Sequence, residues 1–172
     1  MLKRTTLVLV LLLTGCGGTE PESPDVMFLQ MMVPHHGQGV RIARLARDRP
    51  VRPEVRTLAA AIETTQISEI TSMAAQLRAW RRPPTAPAGS HGAHGGMPVT
   101  PETLLTKLAE TKGPAFERDL LNTLIAHQDD ALQMARREAA TGTDAGTRAL
   151  ATRFTRSRQA QITRMLALLR GR

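Results

Sequence analysis

The chain has 172 residues, with 23 Lys and Arg against 15 Asp and Glu, a formal charge of +8, one Trp, no Tyr and a single Cys. One cysteine excludes an internal disulfide and a thiolate metal site, and a basic chain without aromatic stacking platforms is a poor partner for nucleic acid. The length is that of one domain behind a leader, and the excess of arginine, spread out rather than gathered in runs, reads as solvated surface.

In chain order, Lys3-Arg4 and the short apolar run Leu7 to Leu13 come first. The run is too short to span a bilayer as a stable helix and predicts a secretory signal over residues 1–15. It ends in Leu13-Thr-Gly-Cys16, which resembles the lipobox of bacterial lipoproteins. That resemblance implies a diacylated Cys16, export, and a lipid anchor on the periplasmic or extracellular side of the cell membrane. Residues 16–24, rich in Gly, Pro and Glu, then form a tether, and the domain proper spans 25–172.

The first helix places Phe28, Met31, Met32, His35, Gly39, Ile42, Ala43 and Ala46 on one stripe, with His35 near its middle and His36 on its flank. Met31 stands one turn before His35, and Met32 one turn before His36. An apolar core does not need imidazoles, and imidazole with thioether is a donor set that suits copper, particularly Cu(I). The alternative is a core histidine satisfied by a hydrogen bond beside gap-filling methionines. The helix runs to about Asp48 and is stopped by Arg49-Pro50-Val-Arg-Pro53. Pro53 opens a second helix, with Val55, Leu58, Ala59, Ile62, Gln66, Ile70, Met73 and Leu77 along one face, ending before Arg81-Arg82-Pro83-Pro84.

A linker over residues 83–100 spaces His91, His94 and Met97 three apart among glycines. It reads either as a weak, exchangeable copper or zinc site or as a flexible hinge. Thr100-Pro101-Glu102 predicts a cap and an early proline for a short helix over 101–112. Gly113-Pro114 opens a long helix to about Ala140, Thr141 to Gly146 turn the chain, and a last helix runs to about Leu169. Four long amphipathic helices without strand signals give an all-α, four-helix bundle.

The two halves repeat. Residues 25–80 lie on 117–172 at a constant offset, pairing Leu29 with Leu121, His35 with His127, Arg56 with Arg148 and Met73 with Met165. Two copies of one helical hairpin, residues 25–82 and 114–172, account for this. Counting from each hairpin turn, His35 and Gln66 stand at one height, and so do His127 and Arg158. Glu69 lies about one turn further along, near the level of Met32, with Met73 a turn beyond. Burying these polar groups requires partners, either a shared hydrogen-bond network or a metal.

Phe28-Leu-Gln-Met-Met-Val-Pro-His-His36, Ala43, Val55-Arg-Thr-Leu-Ala59 and Gln66-Ile-Ser-Glu-Ile70 with Met73 closely resemble the bacterial family called domain of unknown function 305. The resemblance implies a ferritin-like four-helix fold, export to the periplasm or cell surface, and, for some members, copper binding linked to copper tolerance. The second half departs from the pattern, with Gln128 where the first has His36, and Arg158 and Gln161 where it has Gln66 and Glu69. An arginine repels a metal rather than binding it, so Arg158 is expected to pair with Asp129, Asp130 or Glu69. The core metal candidates are therefore His35, His36, Met31, Met32, Glu69 and Met73, with His127 from the second copy.

The expected function is an exported, membrane-anchored metal-binding protein, with copper as the first metal and zinc as the second. An enzyme is not expected: a di-iron oxidase of this fold needs Glu-x-x-His motifs, whereas Met32 and Leu124 stand three residues before His35 and His127. A helical partner-binding module without metal is the alternative. From the reference histidine pKa of about 6.5, metal affinity is expected to fall below neutral pH.

Overall fold

The computed structural model describes residues 23–86 and 98–171. The lipobox cysteine Cys16 and the linker candidates His91, His94 and Met97 lie outside these residues. Five helices follow one another: α1 (Pro24–Arg44), α2 (Pro53–Ala79), α3 (Glu102–Glu110), α4 (Pro114–Thr141) and α5 (Ala145–Arg170). The long helices form two hairpins, α1 with α2 and α4 with α5, joined along α1 and α4, and α3 rests on α4. The all-α bundle built from two hairpins is thus as the sequence predicts.

Prolines and caps set the starts. Pro24, Pro53 and Pro114 each occupy the first turn, where a missing N–H is harmless. Ser23 accepts from the Val26 amide at 3.2 Å, and Asp144 accepts from the Thr147 amide at 2.7 Å. Gly113, with φ 63° and ψ −154°, stands in a region that only glycine enters readily. Two boundaries differ from expectation. Helix α1 ends at Arg44 and continues as turns to Asp48. Thr100 does not cap α3, whose N-cap is Pro101 without a side-chain bond; its hydroxyl is used in the core instead.

Several arginines are not simply solvated surface. Arg56 donates to the carbonyls of Ala46 at 2.9 Å and Arg49 at 2.8 Å, just past the end of α1. Arg49 donates to the Thr111 carbonyl at 2.8 Å, at the end of α3. Arg52 donates to the Leu168 carbonyl at 2.7 Å, in the last turn of α5, and to Glu117 at 2.8 Å. One turn and the start of one helix thereby satisfy carbonyls at three helix C-termini, where a cation also meets the negative end of the dipole.

The opposite end is held by a carboxylate. Asp25 accepts from the amides of Thr143 at 3.0 Å and Asp144 at 2.9 Å, and from the Thr143 hydroxyl, tying α1 to the α4–α5 turn. Beside it Glu138 is 3% exposed. Burial, and then the neighbouring Asp25, push the Glu138 carboxyl up to about 8, so it holds its proton at neutral pH.

Between these ends the apolar core falls into two blocks. Ile42, Val55, Ile62, Phe116, Leu120, Leu124 and Met165 belong to one. Phe28, Leu29, Met32, Met73, Leu77, Ala131 and Phe154 belong to the other. Along each long helix the residues that separate the blocks are polar: His35 and His36, Gln66, His127 and Gln128, and Arg158, all buried.

Candidate functional site

The polar layer is centred on His35 and His127, whose rings stack with centroids 3.9 Å apart and planes inclined by 13°. Repeat-related residues thus meet at the centre, as the matched heights require. Both nitrogens of His35 and Nε2 of His127 lack a hydrogen-bond partner. Nδ1 of His127 lies 3.2 Å from the Thr100 hydroxyl, and Gln38 clamps the Thr100 backbone with two bonds of 2.8 Å. Burial dominates the electrostatics of the pair and disfavours a charged ring. It drives His35 down to about 2, helped by His127, His36 and Arg158, and His127 to about 4, against a contrary pull from the His35 backbone. Both imidazoles are therefore neutral at any physiological pH, and the protonation competition expected near 6.5 does not apply to them.

Around this pair run two polar chains at equivalent positions of the repeat. In one, Gln66 Nε2 donates to Gln128 Oε1 at 3.1 Å and Gln128 Nε2 donates to Gln161 Oε1. In the other, at the corresponding places, stand Arg158, His36 and Glu69. Here His36 Nε2 lies 2.8 Å from Glu69 Oε2, and Arg158 Nη2 donates to the same oxygen. Two donors sharing one acceptor place the His36 proton on Nε2 and explain why Arg158 Nη2 sits 2.9 Å from that nitrogen. His36 Nδ1 is left bare and without a partner. Burial lowers the His36 pKa despite the Glu69 bond. Burial works in the opposite sense on Glu69, but the His36 and Arg158 contacts outweigh it and hold the carboxyl below its ordinary value. Arg158 is fully buried, with its guanidinium 5.5 Å from the Phe154 ring centroid.

Of Arg158's three expected partners, Glu69 is the one found. Met32 and Met73 are fully buried in the apolar block next to the layer, whereas Met31 is only partly buried on the flank of α1. Among the described residues no three His, Cys, Asp or Glu side chains are grouped as around an ion. The structure adds Gln128, Gln161 and Thr100 to the site, and also Gly39. A Cβ on Gly39 would lie 2.8 Å from His127 Nε2 and closer still to Gln66 Oε1. A Gly39→Ala variant should lose about 1–3 kcal/mol from this crowding, although alanine is the better helix former by about 1 kcal/mol. A thermal melt unchanged or raised relative to wild type would contradict that.

The family model for the Domain of unknown function DUF305 matches residues 25–169. The chain belongs to the DUF305 family. No curated protein matches it in sequence. Among solved structures it is similar to a DUF305 protein of Streptomyces coelicolor named as a candidate secreted protein, with 28% identity and a TM-score of 0.80, covering 87% of this chain and 93% of that one. A DUF305 fragment from Deinococcus radiodurans is 26% identical with a TM-score of 0.74, covering 85% and 95%. CopM in its Cu(I)-bound form is 26% identical with a TM-score of 0.70, covering 86% and 96%. CopM is also known in Cu(II)-bound and Ag-bound forms, so this DUF305 chain has metal-binding structural relatives.

Proposed function

We propose that this DUF305 protein is an exported, lipid-anchored copper-binding protein that holds Cu(I) beside the stacked His35 and His127 rings and sequesters or delivers it without turnover. The observation that carries the reading is the set of unpartnered nitrogens on these two buried, neutral rings. An unsatisfied buried polar atom costs about 1–3 kcal/mol, and a soft ion would relieve that. Neutral imidazole with the nearby Met32 thioether suits Cu(I), which accepts few, uncharged donors. Lone pairs lie in the ring planes, and those planes are nearly parallel, so one ring must turn for an ion to take a nitrogen from each. The copper-bound and silver-bound relatives support the metal class, and Leu13-Thr-Gly-Cys16 supports the anchor. Zinc fits this layer poorly, because its one carboxylate already serves Arg158.

The second reading, a metal-free helical module, is favoured by that same Arg158–Glu69 pair, which satisfies part of the layer without an ion. A Cu(I) competition titration with a chromophoric chelator separates the two. The proteins are wild type, His35→Ala/His36→Ala, and a version with residues 88–98 replaced by a Gly/Ser spacer. Wild type and the spacer version should bind one tightly held Cu(I) and the double variant should lose it. Loss of binding in the spacer version alone would move the site to His91, His94 and Met97, where copper or zinc would be held weakly. No binding by any of them would leave the metal-free module.

A further inference from the structure

The two polar chains of the core occupy equivalent places, yet their charges differ. Gln66, Gln128 and Gln161 are neutral amides bonded in series. At the matching positions Arg158 and Glu69 bring a buried guanidinium and a carboxylate, with His36 against both. The carboxylate side chain is 15% exposed and the guanidinium side chain not at all, so the cation is the inner member of the pair. Resting on the copper reading above, we propose that Arg158 is the specificity-determining residue of the layer. It closes the His36–Glu69 side to metal and restricts the His35–His127 side to one monovalent soft ion, Cu(I) or Ag(I), against Cu(II) and Zn(II).

Two physical arguments support this. The donors a divalent ion would favour, a carboxylate and the imidazole beside it, already serve the guanidinium. Displacing the guanidinium would strand a buried cation without its partner. The donors that remain, His35, His127, Gln66 Oε1 and Met32, carry no charge with which to offset a second positive charge on the ion. Repulsion from a fixed cation scales with the ion's charge. It therefore weighs about twice as heavily on a divalent as on a monovalent ion, with Glu69 offsetting part of it. Arg158 Nη2 comes within 2.9 Å of Nε2 of His36, the chain neighbour of His35.

The first repeat supplies the test variant, because Gln66 is the neutral counterpart of Arg158. Affinities of the full chain for Cu(I), by chelator competition, and for Zn(II) and Cu(II), by calorimetry, are compared in wild type, Arg158→Gln, Arg158→Lys and Arg158→Gln/Glu69→Gln. Arg158→Gln should strengthen binding of the divalent ions at least tenfold more than binding of Cu(I). Arg158→Lys, which keeps the charge, should hold the wild-type ratio. The double variant leaves neither charge stranded, and should shift the ratio in the same direction by less, even if Arg158→Gln alone folds poorly. Equal changes for both ion classes, with Cu(I) binding intact, would overturn the role of Arg158 and leave the copper reading standing. A wild-type chain that binds no Cu(I) would overturn both.

Discussion

The folded protein should be most stable near pH 6.5 and should lose at least about 1–2 kcal/mol between there and pH 5, above the range in which carboxylates titrate. Three buried imidazoles carry the effect: His35 is pushed down to about 2, His127 to about 4, and His36 in the same direction. Their folded pKa values lie below the unfolded value of about 6.5. Their contribution is therefore complete above that pH and is lost as pH falls, because the unfolded chain takes up protons that the folded layer refuses. Each such proton is worth about 1.4 kcal/mol per pH unit. Glu138 acts in the opposite sense. Its folded pKa is raised to about 8, so its stabilisation is full below the unfolded value of about 4.5 and is lost as pH rises towards 8. From His35 and His127, two protons against one leave at most about 1.4 kcal/mol per unit between pH 6.5 and 5, and His36 adds to this in the same direction. Against a total of about 5–15 kcal/mol for a domain, that is a measurable share. Urea unfolding at half-unit intervals of pH measures it, and Glu138→Gln should flatten the alkaline limb and steepen the acid limb by about 1.4 kcal/mol per unit. A curve level from pH 7 to 5 would show that the rings accept protons in place.

Glu69→Gln should destabilise the fold by about 3–5 kcal/mol, the usual effect of removing one partner of a buried ion pair. The guanidinium that remains has no solvent exposure, and its Nε has no partner even in the intact layer. Arg158→Gln should be milder, since the carboxylate left behind keeps His36 and some contact with water. Combining the two should recover most of the loss, because the neutral chain Gln66–Gln128–Gln161 shows that amides fit this geometry. Chemical denaturation of the three variants gives the order. If Arg158→Gln proved the more damaging, packing of the long side chain against Phe154 would outweigh charge.

Much of this architecture was readable from residue types. Pro53, Gly113-Pro114 and the Thr141 to Gly146 turn mark helix ends because φ restriction and a missing N–H act locally, whereas Pro24, assigned to the tether, in fact opens α1. The common height of His35, Gln66, His127 and Arg158 followed from counting back to two turns, since the rise per residue is constant along a helix. Partner choice was less legible. Asp129, Asp130 and Glu69 were equivalent candidates for Arg158 until the hairpins were packed, and only packing brought Thr100 from the segment before α3 onto His127. The depressed basicity of the two rings was hidden as well, because it comes from depth in the bundle and not from neighbours in the chain. Gly39 stood on the predicted stripe with no sign that two polar side chains would crowd its Cα.

The arginines that finish three helices also bear on how well such a chain resists proteases. Its composition suggests a substrate for trypsin-like enzymes, yet Arg49 and Arg52 are each followed by proline, which makes the bond after them a poor cleavage site. Their guanidinium groups are bound to carbonyls and a carboxylate, so the side chain that a protease pocket must capture is not free. A cut at this turn would release the ends of α1, α3 and α5 together. The bonds whose loss would do the most damage are therefore among the hardest to cut.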